Sequence, residues 1–235
     1  MSLIICVYVE EGIVLASDSR TSYNQTIGNI NLVGVHSTNT TNKTFACPNK
    51  SGISTCGDAS IKGKPISGFI EAFIREKIKE ETSIDDMPLL IKEYFNNLEA
   101  NLNTTFIIAG YKKDGEKFIQ KIYRLKTNNE NIETVDTEAE QGALWDGETI
   151  TLSRLLTPVY NKNTETGEFN AFPMPKFAWN YYTLQDAIDF AKYGIKTTID
   201  TMRFQTVPET VGGPIDILVI RPESAEWLSK KELKG

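Results

Sequence analysis

Two apolar runs open the chain, residues 3–9 and 13–19, separated by Glu10-Glu11-Gly12. Their β-rich character predicts strands, and the Glu-Glu-Gly interruption predicts a hairpin between them. Hydrophobicity then lapses. Residues 23–42 are polar, rich in Asn and Thr, and read as a long loop or flap. A second hairpin is expected from residues 43–47 and 51–56, flanking a Pro48-Asn49-Lys50 turn and ending at Gly57-Asp58.

The hydrophobic period changes after Asp58. Ile66, Phe69, Ile70, Phe73, Ile74 and Ile78 recur at helical spacing and form one core-facing stripe. A second helix is expected from Asp85 to about Leu102, with Asp85 as N-cap and Pro88 in the first turn. Strands are predicted at 105–111 and 117–125 around an Asp114-Gly115 turn, and again at 132–135. Beyond Gln141-Gly142, the segment 146–156 reads as helical. Residues 157–180 read as an irregular insertion, punctuated by Pro158, Pro173 and Pro175, whose aromatic residues call for a packing surface. The longest helix is predicted from its N-cap Thr183 to about Phe204, on a stripe that includes Leu184, Ala187, Ile188, Ala191 and Ile195. Gly212-Gly213 introduces a strand at 215–220, and a charged terminal helix is expected to close the chain.

Runs of strands alternating with helix pairs predict an α+β fold of antiparallel sheets with helices in outer layers. One domain over residues 1–235 is expected.

Composition narrows the partners. With 25 basic against 31 acidic residues, the net charge is −6 and no long basic block occurs, so a nucleic-acid surface is not expected. The first apolar run is too short for a signal core or a membrane span, which places the protein in the cytoplasm with no membrane partner. The Asn-x-Thr sequons at Asn24, Asn39, Asn42 and Asn103 then carry no glycosylation meaning. Cys6, Cys47 and Cys56 have no CxxC spacing, which fits a reducing compartment. The single histidine, His36, lies in the polar segment, and neither zinc ligation nor a phosphate-binding glycine motif has its residues here. No cofactor is expected.

One nucleophile needs no histidine. An N-terminal Ser, Thr or Cys can use its own α-amine, of reference pKa about 7.7–8.0, as the base for its side chain. Removal of Met1 would leave Ser2 in that position. The first hairpin would return Asp18 to the neighbourhood of Ser2-Leu3, and Lys43 begins the second hairpin. An ammonium beside Asp18 and Ser2 would lower the proton affinity of the amine and hydroxyl. The same spacing also suits ordinary strand-end charges.

Four stretches, "GIVLASDSR" at 12–20, "NKTFACP" at 42–48, "STCGDAS" at 54–60 and "VGGPIDILVI" at 211–220, together resemble the signatures of proteasome β-type subunits in the expected order. The similarity covers nearly the whole chain. With the segment from Asp189 to Ile217, it is greatest to the bacterial proteasome-like group called Anbu.

The resemblance implies an N-terminal-nucleophile hydrolase with a four-layer αββα sandwich of two antiparallel sheets. It implies Ser2 as nucleophile, sixteen residues before Asp18, with Asp18 and Lys43 tuning the site and Arg20 as a supporting charge. The oxyanion donor would be the backbone N–H of Ser54, three residues before Gly57-Asp58. A Gly-Ser-Gly turn beside the family's nucleophile would be replaced here by Gln141-Gly142, and the polar pair before the glycines by Glu209 or Thr210. Serine in place of the family's usual threonine keeps the hydroxyl but loses a rotamer-fixing methyl, which implies slower turnover.

Two functions follow from different classes. The first is a peptidase or amidohydrolase acting through Ser2 after Met1 removal. The second is a scaffold without turnover that assembles or binds peptides. Both imply a homo-oligomer, a ring or an open spiral, with specificity shaped by residues 23–42 and 157–180.

Overall fold

The computed structural model describes residues 2–232, with only the backbone described at 24–26, 31 and 33. Met1, on whose removal the nucleophile depends, lies outside the described residues.

The chain runs through β1 (Leu3–Val9), β2 (Gly12–Ser17), β3 (Thr21–Ile27), β4 (Ile30–Thr38), β5 (Thr44–Ala46), β6 (Gly52–Gly57), β7 (Ser60–Ile61) and β8 (Lys64–Pro65). It continues through α1 (Ile66–Lys77), α2 (Met87–Leu98), β9 (Thr104–Asp114), β10 (Lys117–Lys126), β11 (Ile132–Val135), β12 (Gly142–Gly147) and α3 (Ile150–Leu156). Then come β13 (Tyr160–Lys162), β14 (Phe169–Ala171), α4 (Leu184–Met202), β15 (Asp216–Arg221) and β16 (Ser224–Ser229). This is a mixed α/β architecture with several antiparallel sheets and, among the described residues, four α-helices.

Two five-stranded sheets dominate, in the orders β12-β1-β2-β15-β16 and β11-β10-β9-β6-β5. The first run is uninterruptedly apolar because both its faces are covered. Leu3, Ile5, Val7 and Val9 join a cluster with Ala187, Ala191 and Ile195 of α4, while Ile4 and Cys6 face a cluster shared with Ile107 and Ala109 of the second sheet. Strand geometry sends alternate side chains to opposite faces, so a doubly covered strand needs both sets apolar. The second sheet packs its other face on α1 and α2 through Ile70, Phe73, Ile91 and Phe95.

Several elements match the sequence reading, and several correct it. The β1–β2 hairpin pairs Ile4 with Ser17 and Val9 with Gly12. Thr183 caps α4: its side chain accepts from the Asp186 N–H, and the Asp186 carboxylate accepts from the Thr183 N–H.

The polar segment expected as a loop is instead the β3–β4 hairpin, turning at Gly28. Ile27, Ile30 and Val35 on it are exposed. Where the described side chains of this ribbon are exposed, no buried face imposes an alternating pattern.

The segment beginning at Asp146 is not helical throughout: residues 142–147 form β12 against β1, and the helix starts only at Ile150. The charged terminal segment is β16, whose Ala225 and Trp227 alternate inward. Helix α2 begins at Met87 and ends at Leu98. Asp85 caps nothing, because its carboxylate accepts from Lys112 Nζ at 2.6 Å and Tyr123 Oη at 2.7 Å.

The insertion divides. Phe177 and Trp179 pack on Phe190 of α4, with Tyr182 on Trp179, while Tyr160, Phe169 and Phe172 are exposed.

Candidate active site

The β1–β2 hairpin brings the end of β2 back to the chain start. The Asp18 N–H donates to the Leu3 carbonyl at 3.3 Å, and the Leu3 N–H donates to Asp18 Oδ1 at 3.0 Å. The pairing expected from the sequence therefore places Asp18 beside Ser2-Leu3. Fully buried, Asp18 is held from four directions: Lys43 Nζ donates to Oδ1 at 2.7 Å, and the N–H groups of Arg20 and Gly212 each donate to Oδ2 at 3.0 Å. A carboxylate can be buried only when its lone pairs are met in this way.

Lys43 is 3% exposed and also donates to the Arg20 carbonyl. Burial pulls its proton affinity below the ordinary lysine value; the Asp18 carboxylate opposes this, and Lys231 adds to it. A second buried pair lies close by. Asp216 is in register with Ser17 and accepts from both the backbone N–H and the ammonium of Lys231.

Ser2 is 8% exposed and borders a cavity of about 390 Å³, whose walls include Thr21, Tyr23, Gly57, Asp58 and Asn103. Its carbonyl accepts from the Glu148 N–H at 2.7 Å. This contact depends on Gly147, which has φ +97° and on which a Cβ would overlap the Ser2 carbonyl oxygen. Cys56 borders a smaller adjoining recess, but burial pushes its thiol up to about 12, so it carries no thiolate.

Arg20 lies across Gly212, where a Cβ would stand 2.6 Å from the guanidinium carbon. Its Nη1 donates to Glu209 Oε2 at 2.5 Å and its Nε to Asn39 Oδ1 at 2.8 Å. Glu209 thus reaches the site through Arg20.

Two expected site residues stand elsewhere. In β1–β12 pairing, Leu3 opposes Gly147 and Tyr8 opposes Gly142, so Gln141 lies at the far end of β1, roughly 20 Å from the Leu3 end at about 3.3 Å per residue. There its amide fits between the Glu10 N–H and the Trp179 carbonyl. The turn beside Ser2 is Asp146-Gly147-Glu148, and an Asp-Gly pair at the end of a strand is the signal that could have found it.

Ser54 is also displaced from the cavity. The Thr55 N–H donates to the Lys43 carbonyl, so alternation along β6 turns the backbone of Ser54 toward its partner Ile107 on β9. Its hydroxyl is buried against Thr44: Thr44 Oγ1 donates to Ser17 Oγ, so Ser54 donates to Thr44. Gly57 shares the edge direction of Thr55 but lies beyond the end of β5, and it borders the cavity. Asp58 meets Asn103 twice, through its N–H at 3.0 Å and its carboxylate at 2.7 Å.

Among the described residues, no group of three His, Cys, Asp or Glu side chains could hold a metal ion, and no helix is long and apolar enough to cross a membrane. No family model matches the sequence, and no curated protein matches it.

Solved structures do match. An Anbu Gly-1 mutant from Hyphomicrobium sp. strain MC1 superposes with a TM-score of 0.63 at 14% identity, covering 98% of this chain and 86% of that one. A second structure of Anbu from the same strain gives 0.58 at 14% identity over 98% and 88%. Anbu from Yersinia bercovieri, described as an ancestral beta-subunit, gives 0.57 at 14% identity over 97% and 87%. Over nearly its whole length, the chain has the fold of the proteasome-like Anbu proteins.

Proposed function

We propose that this protein is an N-terminal-nucleophile hydrolase of peptide or other amide bonds, with Ser2 as nucleophile once Met1 is removed. The observation that carries the reading is the convergence on Asp18 of the Leu3 N–H and the Lys43 ammonium, beside a cavity bordered by Ser2. Likeness of fold supports it. The α-amine takes the Ser2 hydroxyl proton as Oγ bonds to the amide carbon. Collapse of the tetrahedral intermediate breaks the C–N bond, and the departing amine carries that proton away. Water, deprotonated by the same amine, then cleaves the ester and restores Ser2.

Asp18 fixes the chain start through Leu3 and holds Lys43, whose positive charge favours the deprotonated amine and the alkoxide. Gly57 supplies the oxyanion N–H in place of Ser54, because its edge of β6 is not covered by β5. Glu148 and Gly147 set the Ser2 carbonyl, and Arg20 with Glu209 braces the loop before β15.

The stacking of helices, two sheets and helices is read as the four-layer αββα sandwich in one domain. A homo-oligomer is part of the proposal, with exposed Phe204, Val207 and Ile150 available to a second copy. The test is mass spectrometry of protein from its native host, followed by exposure to a hydroxyl-reactive β-lactone. Loss of Met1 and an adduct on Ser2 are expected. Retained Met1, or processed protein with no adduct, overturns the hydrolase and leaves the scaffold.

A further inference from the structure

The cavity beside Ser2 is polar but carries one carboxylate. Thr21, Ser22 and Tyr23 of β3 form one wall, and Asp58 to Ser60 with Asn103 form another. Asp58 is the acidic group among the lining residues. Its reciprocal bonds with the backbone of Asn103 hold both its main chain and Oδ2. Gly57, with φ +115°, creates this bend: a Cβ there would overlap the Asn103 carbonyl oxygen. One oxygen of this exposed carboxylate is therefore held before any ligand arrives, which lowers the ordering cost of binding. Among the described residues, no donor reaches Oδ1.

The neighbouring cations are already engaged. Lys43 is bonded to Asp18 and Arg20 to Glu209, while Lys62 and Lys64 of the β7–β8 hairpin are exposed and do not line the cavity. Among the side chains that line the cavity the one charge is that of Asp58, which would share the cavity with the α-amine of a processed Ser2, and the surrounding hydroxyls can accept further N–H bonds. A cavity of about 390 Å³ is within the range that holds a small ligand.

We infer that this cavity selects a basic side chain, an ammonium or guanidinium, with Asp58 as its counter-ion. The inference rests on the hydrolase reading for its place beside the scissile bond, but the selectivity is a property of binding and is tested without turnover.

Calorimetry on full-length Ser2→Ala protein would compare Nα-acetyl-lysine methylamide, Nα-acetyl-arginine methylamide and Nα-acetyl-norleucine methylamide. The two basic probes should bind at least about tenfold more tightly than norleucine, with the margin shrinking as salt rises. Asp58→Asn keeps an acceptor for the Asn103 N–H and should abolish the preference. Ser60→Lys, which places a cation in the cavity without touching the Asn103 bridge, should abolish it as well, and circular dichroism confirms that both variants fold. Equal binding of all three probes, binding of none, or a preference that survives both substitutions overturns the inference. The β-lactone adduct on wild-type Ser2 judges the hydrolase separately, so either idea can fail alone.

Discussion

Two buried lysine–aspartate pairs flank the end of β2, and they do different things. Asp216–Lys231 is closed on itself: one lysine supplies both its backbone N–H and its ammonium to one carboxylate. Asp18–Lys43 is open: its carboxylate also gathers N–H groups from Leu3, Arg20 and Gly212, three separate segments, and its ammonium stands near the cavity that Ser2 borders. Burial and charge are alike in both, so neither marks a site. What differs is connection, because only Asp18–Lys43 ties a would-be nucleophile to a cation.

Breaking each pair from its lysine side should separate the two roles. In Lys231→Met, Asp216 keeps one donor, and stability should fall by about 3–5 kcal/mol in urea denaturation, the usual cost of a stranded buried charge. In Lys43→Met, Asp18 keeps three N–H donors and the loss should be smaller, roughly 2 kcal/mol. Labelling should invert the order: folded Lys231→Met still forms the Ser2 adduct, while Lys43→Met does not. If both variants label equally, the distinction between the pairs is gone.

The comparison extends to the two ends of β1. Gly147→Ala puts a Cβ into the Ser2 carbonyl at a positive φ and should cost about 2 kcal/mol or more while suppressing adduct formation. Gln141→Ala at the far end should cost under about 1 kcal/mol and leave labelling unchanged. Equal loss of labelling would restore Gln141 to the site.

Titration sharpens the contrast further. Lys43 has a folded pKa depressed by burial, so above that pKa the unfolded chain binds more protons than the folded one, and stability rises with pH until the ordinary lysine value is reached. That rise should vanish in Lys43→Met. In Lys231→Met the rise should begin at higher pH, since a like charge has been removed, as urea midpoints across alkaline pH would show. The smallest effects belong to the periphery. Ser54→Ala should cost about 1 kcal/mol without altering labelling, and Glu209→Gln under about 1 kcal/mol, since half-exposed ion pairs contribute little.

Much of this was legible because its signals are local. The doubly apolar runs and the Glu10-Glu11-Gly12 turn were sufficient for the β1–β2 hairpin, and a hairpin leaves little freedom over which residue returns to Ser2. The stripe of α1, and the stripe and N-cap Thr183 of α4, were equally plain. The hairpin at 21–38 was hidden because most of its described side chains beyond Tyr23 are exposed, and β16 because its inward Ala225 and Trp227 are set among charges.

The remaining decisions belonged to tertiary structure. That Gly147 rather than Gln141 meets Ser2 depends on how β12 aligns with β1, strands separated by more than a hundred residues, and no local pattern encodes that register. That Gly57 rather than Ser54 opens to the cavity depends on where β5 stops covering β6. The sequence by itself determined which residues could serve a site at the chain start, through composition and hairpin arithmetic. Only the packed sheets decided which of them face one another, because pairing between distant strands is set by the burial of whole faces and not by any residue alone.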